Sequence, residues 1–235
     1  MKRSEKIVIA IPTVILTIVV GFHVMFGIPL GIDSPVLEFP ILESDRVVRL
    51  SAFYTPDWGE PGVFHNGIDL VISDNVTIVA PHRGTVIMVS EHVNPYAGNT
   101  LFSIDIAINT AWVVELVIEP GFLDPHNNSR QSSLISARIG QRVLPGDHLA
   151  TLMFSSNYPH LHYSMRFFGC DVCPYNYSSP SARATFDVIS QTSGSRILYP
   201  HPSPTPLSCP LLAGTFVFTT FYVFAAAVVV RRSRR

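Results

Sequence analysis

The sequence predicts an all-β domain, a compact and sandwich-like antiparallel sheet, flanked by two transmembrane helices. Between the ends of the chain, turn residues separate short runs rich in Val, Ile and Phe, a pattern typical of antiparallel β proteins. No long stretch of this central part shows helical periodicity. Each end of the chain carries an apolar run that is long enough to cross a bilayer.

The N-terminal apolar run covers residues 7–30 and follows a short basic segment, residues 1–6, with two lysines and one arginine. The alternative to a transmembrane helix is a cleavable signal peptide, which has a shorter apolar region and a small-residue cleavage site. No such site follows the run here. An uncleaved signal anchor is therefore favoured over a signal peptide.

The C-terminal apolar run, residues 211–230, contains no charge and is followed by a basic tail, residues 231–235. Because basic residues flank the outer ends of both runs, the positive-inside rule predicts that both termini are cytoplasmic and that residues 31–199 form an extracytoplasmic domain. Residues 200–210, with five prolines, are predicted to be a stiff spacer. The alternative for the tail is a processed sorting signal, for which no clear cleavage motif is present.

Within the domain, apolar runs predict strands and a polar stretch predicts a loop. Residues Pro120–Ser136 are polar and rich in Gly, Pro and Asn, so they are predicted to form a long surface loop. The runs predicted as strands include Val76–Ala80, Thr85–Val89, Leu101–Ile108, Trp112–Ile118 and Leu149–Phe154.

Export to an oxidising compartment would determine the state of the cysteines. In an oxidising compartment the pair Cys170 and Cys173 favours a small disulfide over a metal site, because no second C-x-x-C is present; Cys209 is left over. Three Asn-x-Ser/Thr sequons, at Asn75, Asn127 and Asn176, are compatible with export.

Between residues 31 and 206 there are nine arginines against sixteen acidic residues, a net charge of −7. This argues against a nucleic-acid partner, which requires a basic surface.

Two short motifs predict a zinc site. His65 and Asp69 are four residues apart, and the apolar residues after Gly67 favour a strand, on which positions four apart share a face. His160 and His162 alternate with apolar residues, so a strand would place both on one face as well. Side chains of these types on neighbouring strands can give Zn²⁺ three ligands and leave a fourth position open, as in catalytic zinc sites.

The order of these motifs resembles that of the lysostaphin-type zinc endopeptidases, a family that includes hydrolases of cell-wall cross-links. The resemblance runs from about Leu50 to Phe168. Its blocks are Phe64-His65-x-Gly67-Ile68-Asp69-Leu70, Val79-Ala80-Pro81-x-x-Gly84-Thr85-Val86, Tyr96-Ala97-Gly98-Asn99, Ile139-Gly140-x-x-Val143-x-x-Gly146-x-x-Leu149 and His160-Leu161-His162-Tyr163.

The resemblance implies a fold of the duplicated hybrid motif type and assigns roles to the matching residues. His65, Asp69 and His162 would be the zinc ligands, and His160 would be the catalytic imidazole. One departure is that Glu115 stands where the family has a second catalytic histidine, so Glu115 is a candidate general base. The turn before His160 is also altered, to Ser155-Ser156-Asn157-Tyr158-Pro159. His126, on the predicted loop, is a less favoured replacement for the missing histidine.

Three functions remain open on this basis. The favoured one is a membrane-anchored zinc endopeptidase that hydrolyses peptide bonds outside the cytoplasm, with a cell-envelope polymer as a candidate substrate. The second is a non-catalytic, zinc-binding module of the same fold that binds a partner or a wall peptide. The third is a structural β domain without metal. Metal content separates the third from the others, and peptide hydrolysis separates the first from the second.

The predicted topology can be tested by proteolysis of intact cells. Protease added from outside should digest the central domain and leave tags at both termini protected, because the basic flanks place both ends in the cytoplasm. Digestion of a C-terminal tag would show that the second apolar run is absent from the membrane or has been processed.

Overall fold

The computed structural model describes residues 17, 20, 21, 23–122, 124 and 126–199. The chain divides into two compact units, Ile28–Ser203 and the pair of terminal segments Met1–Gly27 and Pro204–Arg235. In the terminal unit, residues 23–26 are helical. Among the described residues, no helix is both long enough and apolar enough to cross a bilayer. The predicted transmembrane helix at 211–230 and most of the one at 7–30 lie outside those residues.

The larger unit consists mainly of β-strands. The strands are β1 Val47–Ser51, β2 Gly67–Ile72, β3 Val76–Val79, β4 Gly84–Val93, β5 Thr100–Ala107, β6 Trp112–Glu119, β7 Arg142–Val143, β8 His148–Leu152, β9 His160–Phe167 and β10 Cys170–Val172. The helices are α1 His126–Ser133 and α2 Pro180–Ser193, with two 3-10 helices, Ser44–Arg46 and Pro174–Tyr177.

Eight strands form one antiparallel sheet in the order β1-β2-β9-β6-β5-β4-β7, with β10 paired to β9, and β3 and β8 form a second, two-stranded sheet. Strand β9 shows how the large sheet is oriented. Leu161, Tyr163 and Met165 are completely buried in the apolar core, which also contains residues of the small sheet and of α2. His160 and His162 alternate with them on the opposite, partly exposed face. The prediction of an antiparallel sheet is confirmed, and the five predicted strands correspond to β3, β4, β5, β6 and β8.

Two α-helices that were not predicted from the sequence accompany the sheets. Helix α2 buries Ala182, Phe186 and Ile189 on one side. The hydroxyl of Ser179 accepts a hydrogen bond from the Ala182 amide and caps its N-terminus, while Gly194, with φ 68°, follows its last turn. The expectation that the domain has no helical stretch is therefore wrong for Pro180–Ser193.

Helix α1 lies within the stretch predicted as a loop, so the loop prediction for Pro120–Ser136 is wrong over these residues. Its sequence is polar throughout, and its one buried residue, Gln131, is held by hydrogen bonds to the backbone. The side-chain amide of Gln131 donates to the Thr151 carbonyl, and its oxygen accepts from the Met153 amide. Polar contacts with the chain around β8, rather than an apolar stripe, therefore hold this helix in place.

The predicted disulfide between Cys170 and Cys173 is contradicted, because Cys173 is a free and buried thiol. Cys170 begins β10, and the backbone is still extended at Cys173. Residues three apart on an extended chain are about 10 Å apart and point to opposite faces. A disulfide requires Cα atoms closer than about 7 Å, so the strand conformation prevents this bridge.

The state of Cys173 can be checked by alkylation without reduction. Iodoacetamide is expected to leave Cys173 unmodified in the folded protein, because the residue is 1% exposed and burial raises the pKa of its thiol to about 11. In guanidinium the same thiol should be modified, and Cys173→Ser provides the control for assigning the adduct by peptide mapping. A denatured, unreduced protein without an adduct at Cys173 would contradict the free thiol.

Candidate metal centre

Strands β2 and β9 bring the predicted metal ligands together. The two strands pair antiparallel, with Asp69 directly opposite His162. Side chains of opposite residues project from the same face of a sheet, so this carboxylate and this imidazole meet above the face that is not in the core. His65 lies two residues before β2, and its ring reaches the same carboxylate.

Three ligand-type atoms converge at this point. Asp69 Oδ1 is 3.0 Å from His65 Nε2 and 2.9 Å from His162 Nδ1, and the two nitrogens are 3.1 Å apart. His65 and Asp69 are each 1% exposed, while the side chain of His162 retains 12% exposure. The cluster is therefore buried at its base and open to solvent on the side of His162.

Two contacts fix the ring of His65. Its Nδ1 lies 2.9 Å from the carbonyl oxygen of Ala52. Because a carbonyl only accepts hydrogen bonds, Nδ1 carries a proton, and Nε2 is the ring nitrogen that faces Asp69 and His162. The indole of Trp58 stacks on the imidazole, with ring centroids 4.1 Å apart. His65 is thus held in the tautomer and orientation of a metal ligand.

The donor set fits a zinc ion. Two imidazole nitrogens and a carboxylate oxygen at contact distance are stable neighbours only if a proton or a cation lies among them. Tetrahedral Zn²⁺ with bonds of about 2.0–2.2 Å places its ligands roughly 3.4 Å apart, which is close to the observed separations. Asp69 Oδ2 is buried and has no hydrogen-bond partner among the described residues. No other group of metal-ligating side chains in the described part of the chain converges in this way.

The glycine between His65 and Asp69 makes room for the cluster. A Cβ at Gly67 would lie 2.6 Å from His162 Nε2 and 2.8 Å from the Tyr163 carbonyl oxygen. Both distances are shorter than any ordinary van der Waals contact. A side chain at this position would therefore either separate β2 from β9 or displace the imidazole of His162.

His160 lies next to the three ligands. Its Nδ1 donates a hydrogen bond of 2.9 Å to the Tyr158 carbonyl. This bond directs Nε2 towards Asp69 Oδ1, at 3.8 Å, and towards Glu119 Oε1, at 3.6 Å. Glu119 is opposite His160 in the pairing of β6 with β9, and its Oε2 accepts a hydrogen bond of 3.5 Å from the Asn99 amide. Glu119 is a site residue that the sequence motifs did not predict.

The charges of this cluster depend on one another. Burial lowers the pKa of His160, but the carboxylates of Glu119 and Asp69 outweigh burial and raise it to about 9. Burial raises the pKa of Asp69, but hydrogen bonds from His162 and His65 hold it well below its usual range. Burial likewise raises the pKa of Glu119. The contact with His160 outweighs burial, so the pKa of Glu119 lies below its usual value. Because a ligating imidazole must be deprotonated, zinc affinity falls as the pH falls.

The structure does not bring Glu115 into this cluster. Glu115 is opposite Ser164 and Asp105 in the sheet, and its carboxylate accepts a hydrogen bond of 3.0 Å from the Ser164 hydroxyl. The guanidinium of Arg166 is 3.6 Å from this carboxylate and 2.7 Å from that of Asp105. In the pairing of β6 with β9, Glu119 and not Glu115 is the residue opposite His160. His126 is exposed at the start of α1, where its amide donates a hydrogen bond to Asp124.

Comparisons with known proteins return similar folds among solved structures only. No protein-family model matches the chain, and no curated protein matches it. A zinc-containing peptidase from Vibrio cholerae is similar at 19% identity over 57% of this chain and 37% of that chain, with a TM-score of 0.39. A protein from Pseudomonas aeruginosa described as a putative peptidase M23 is similar at 18% identity over 64% of this chain and 53% of that one, with a TM-score of 0.43.

The catalytic domain of lysostaphin, an antimicrobial peptidase from Staphylococcus simulans, is similar at 17% identity over 50% of this chain and 79% of that chain, with a TM-score of 0.34. The chain spans about half or less of the length of the first two structures. At these identities and TM-scores the similarity carries no inference about activity, which has to come from the geometry of the site.

Zinc binding can be tested on the full-length protein in mild detergent. The wild type is expected to hold one zinc ion per chain by elemental analysis. His162→Ala should lose it, because the two remaining ligands, the imidazole of His65 and the carboxylate of Asp69, bind zinc weakly. His82→Ala, which removes a partly exposed histidine whose ring contacts the Arg83 carbonyl, is the matched control and should retain the metal. Unchanged zinc in His162→Ala would rule out this site.

Proposed function

We propose that the chain is a zinc-dependent endopeptidase, tethered to a membrane by its terminal apolar runs, that hydrolyses peptide bonds outside the cytoplasm. The observation that carries the proposal is the convergence of His65 Nε2, Asp69 Oδ1 and His162 Nδ1 on one point, with a second imidazole and a second carboxylate beside it. A structural zinc site would have four protein ligands. Here three protein ligands converge, and the groups next to them are suited to proton transfer.

Zinc bound by these three residues would supply Lewis acidity, which polarises a carbonyl group and makes water more acidic. The residues of the chain itself would bind the ion and orient the peptide carbonyl. His65, Asp69 and His162 are fixed by the strand pairing and by the hydrogen bond from His65 to Ala52. Because two of the three are almost completely buried, the opening beside His162 is where a peptide carbonyl would approach.

His160 and Glu119 are assigned to proton transfer. Peptide hydrolysis requires that a proton leave the attacking water and that a proton reach the departing amine. The imidazole of His160 is held by the Tyr158 carbonyl, and its Nε2 lies between Asp69 and Glu119. An ionised carboxylate can only accept a proton or a hydrogen bond, so Glu119 is the acceptor and stabilises the protonated form of His160. Asn99 holds Glu119 from the other side.

The separate roles of the two glutamates can be tested with matched variants. In a peptide-library assay with the zinc-loaded protein, His160→Ala should lower turnover by about 10²–10⁴-fold, as for loss of a general acid–base group. Glu119→Gln keeps the size of the side chain and removes its charge, and it should lower turnover by at least about tenfold without loss of zinc. Glu115→Gln, the same change four residues earlier on the same strand, should have little effect.

The opposite outcomes are equally informative. A large loss of turnover in Glu115→Gln with full activity in Glu119→Gln would restore Glu115 as the general base and overturn the assignment to Glu119. A zinc-loaded wild type that cleaves no peptide in a broad library, over a range of pH, would favour the non-catalytic binding module instead.

A further inference from the structure

Tyr158 has an unfavourable backbone conformation directly before the histidine pair. Its φ is 58°, in the left-handed region that side chains other than those of Gly, Asn and Asp seldom adopt. A bulky residue in this region costs free energy, and such residues cluster at functional sites. The ring is not buried, since Tyr158 is 42% exposed, so burial in the core does not explain why a tyrosine occupies this position.

The phenol of Tyr158 flanks the metal centre. Its ring packs edge-on against His160, with centroids 5.6 Å apart, and its hydroxyl is 3.2 Å from the Ser51 hydroxyl. Ser51 is directly opposite Asp69 in the pairing of β1 with β2. The tyrosine hydroxyl therefore lies beside the carboxylate ligand, on the β1 side of the cluster. Glu119 lies on the other side, towards β6.

The Tyr158 hydroxyl can change its hydrogen-bond partner. Its bond to Ser51 joins two neutral groups at 3.2 Å, beyond the usual range for hydroxyl pairs. A hydrogen bond to an anionic oxygen is shorter and roughly twice as strong. The guanidinium of Arg49 lies over the phenol ring, 5.5 Å from its centroid.

Two other donors near the cluster, Arg166 and His160, are already engaged. Arg166 is bound to Asp105 at 2.7 Å. His160 uses Nδ1 for the Tyr158 carbonyl and directs Nε2 at two carboxylates. Tyr158, by contrast, is 42% exposed, and its hydroxyl is bonded to the neutral hydroxyl of Ser51, a partner that it can exchange.

We propose that the Tyr158 hydroxyl leaves Ser51 and donates a hydrogen bond to the oxyanion that forms when a peptide carbonyl is attacked at this site. The proposal rests on the proposed function. It makes Tyr158 a catalytic residue with two linked contributions, since its carbonyl orients His160 while its hydroxyl stabilises the developing negative charge.

The test uses inorganic phosphate, a tetrahedral oxyanion, as a probe, so it does not require a known substrate. Full-length protein in detergent is loaded with one zinc ion per chain, and phosphate binding is measured by calorimetry. Tyr158→Phe keeps the ring and the backbone and removes only the hydroxyl, and it should weaken phosphate binding by about tenfold or more with unchanged zinc content. Tyr175→Phe, which removes a hydroxyl bonded to Asp187 on α2, is the matched control and should bind phosphate as the wild type does.

Ser51→Ala distinguishes donation to the probe from a structural hydrogen bond. It frees the Tyr158 hydroxyl, so phosphate binding should be equal to or tighter than in the wild type. Equal phosphate affinity in Tyr158→Phe and wild type, equal losses in Ser51→Ala and Tyr158→Phe, or no phosphate binding by the zinc-loaded wild type would each overturn the proposal. Failure of the wild type to bind zinc would overturn the proposed function, and this inference with it.

Discussion

The site depends on the register between β2 and β9. Because side chains alternate on a strand, a shift of one residue would move His160 and His162 into the core and bring Leu161 and Tyr163 to the surface. Burial of apolar side chains is the largest favourable contribution to folding, so the completely buried Leu161 and Tyr163 fix the register strongly. The apolar face of β9 therefore determines the position of the polar face, and Asp69 is opposite His162 for the same reason.

Much of this could be predicted from the sequence, because the information is local. Alternation over His160–Tyr163 gives a face, and a spacing of four with a glycine between gives the other half of the ligand group. Strand runs such as Leu101–Ile108 contain enough β-branched and aromatic residues to be recognised without a partner. These features can be predicted from the residues within a few positions along the chain.

Other features depend on distant parts of the chain and were missed. Glu119 ends a strand before a proline, and only the register of β6 against β9 shows that it faces His160. Glu115 resembles a family position by sequence, but the same register places it opposite Ser164. Helix α1 has no apolar stripe, since it is held by the hydrogen bonds of Gln131. Helix α2 did carry a usable signal, because its N-terminal Ser179 and Pro180 and its C-terminal Gly194 are typical helix boundaries.

The stacking of Trp58 on His65 gives the protein a built-in optical reporter. The chain has only two tryptophans. Trp112 is 4% exposed, and its surroundings belong to the core. Trp58 is partly exposed and lies 4.1 Å from the ring of a candidate ligand, so a change in the charge or ligation of His65 alters the environment of one indole and not the other. Intrinsic fluorescence therefore separates events at the metal centre from changes in the fold, without any added label.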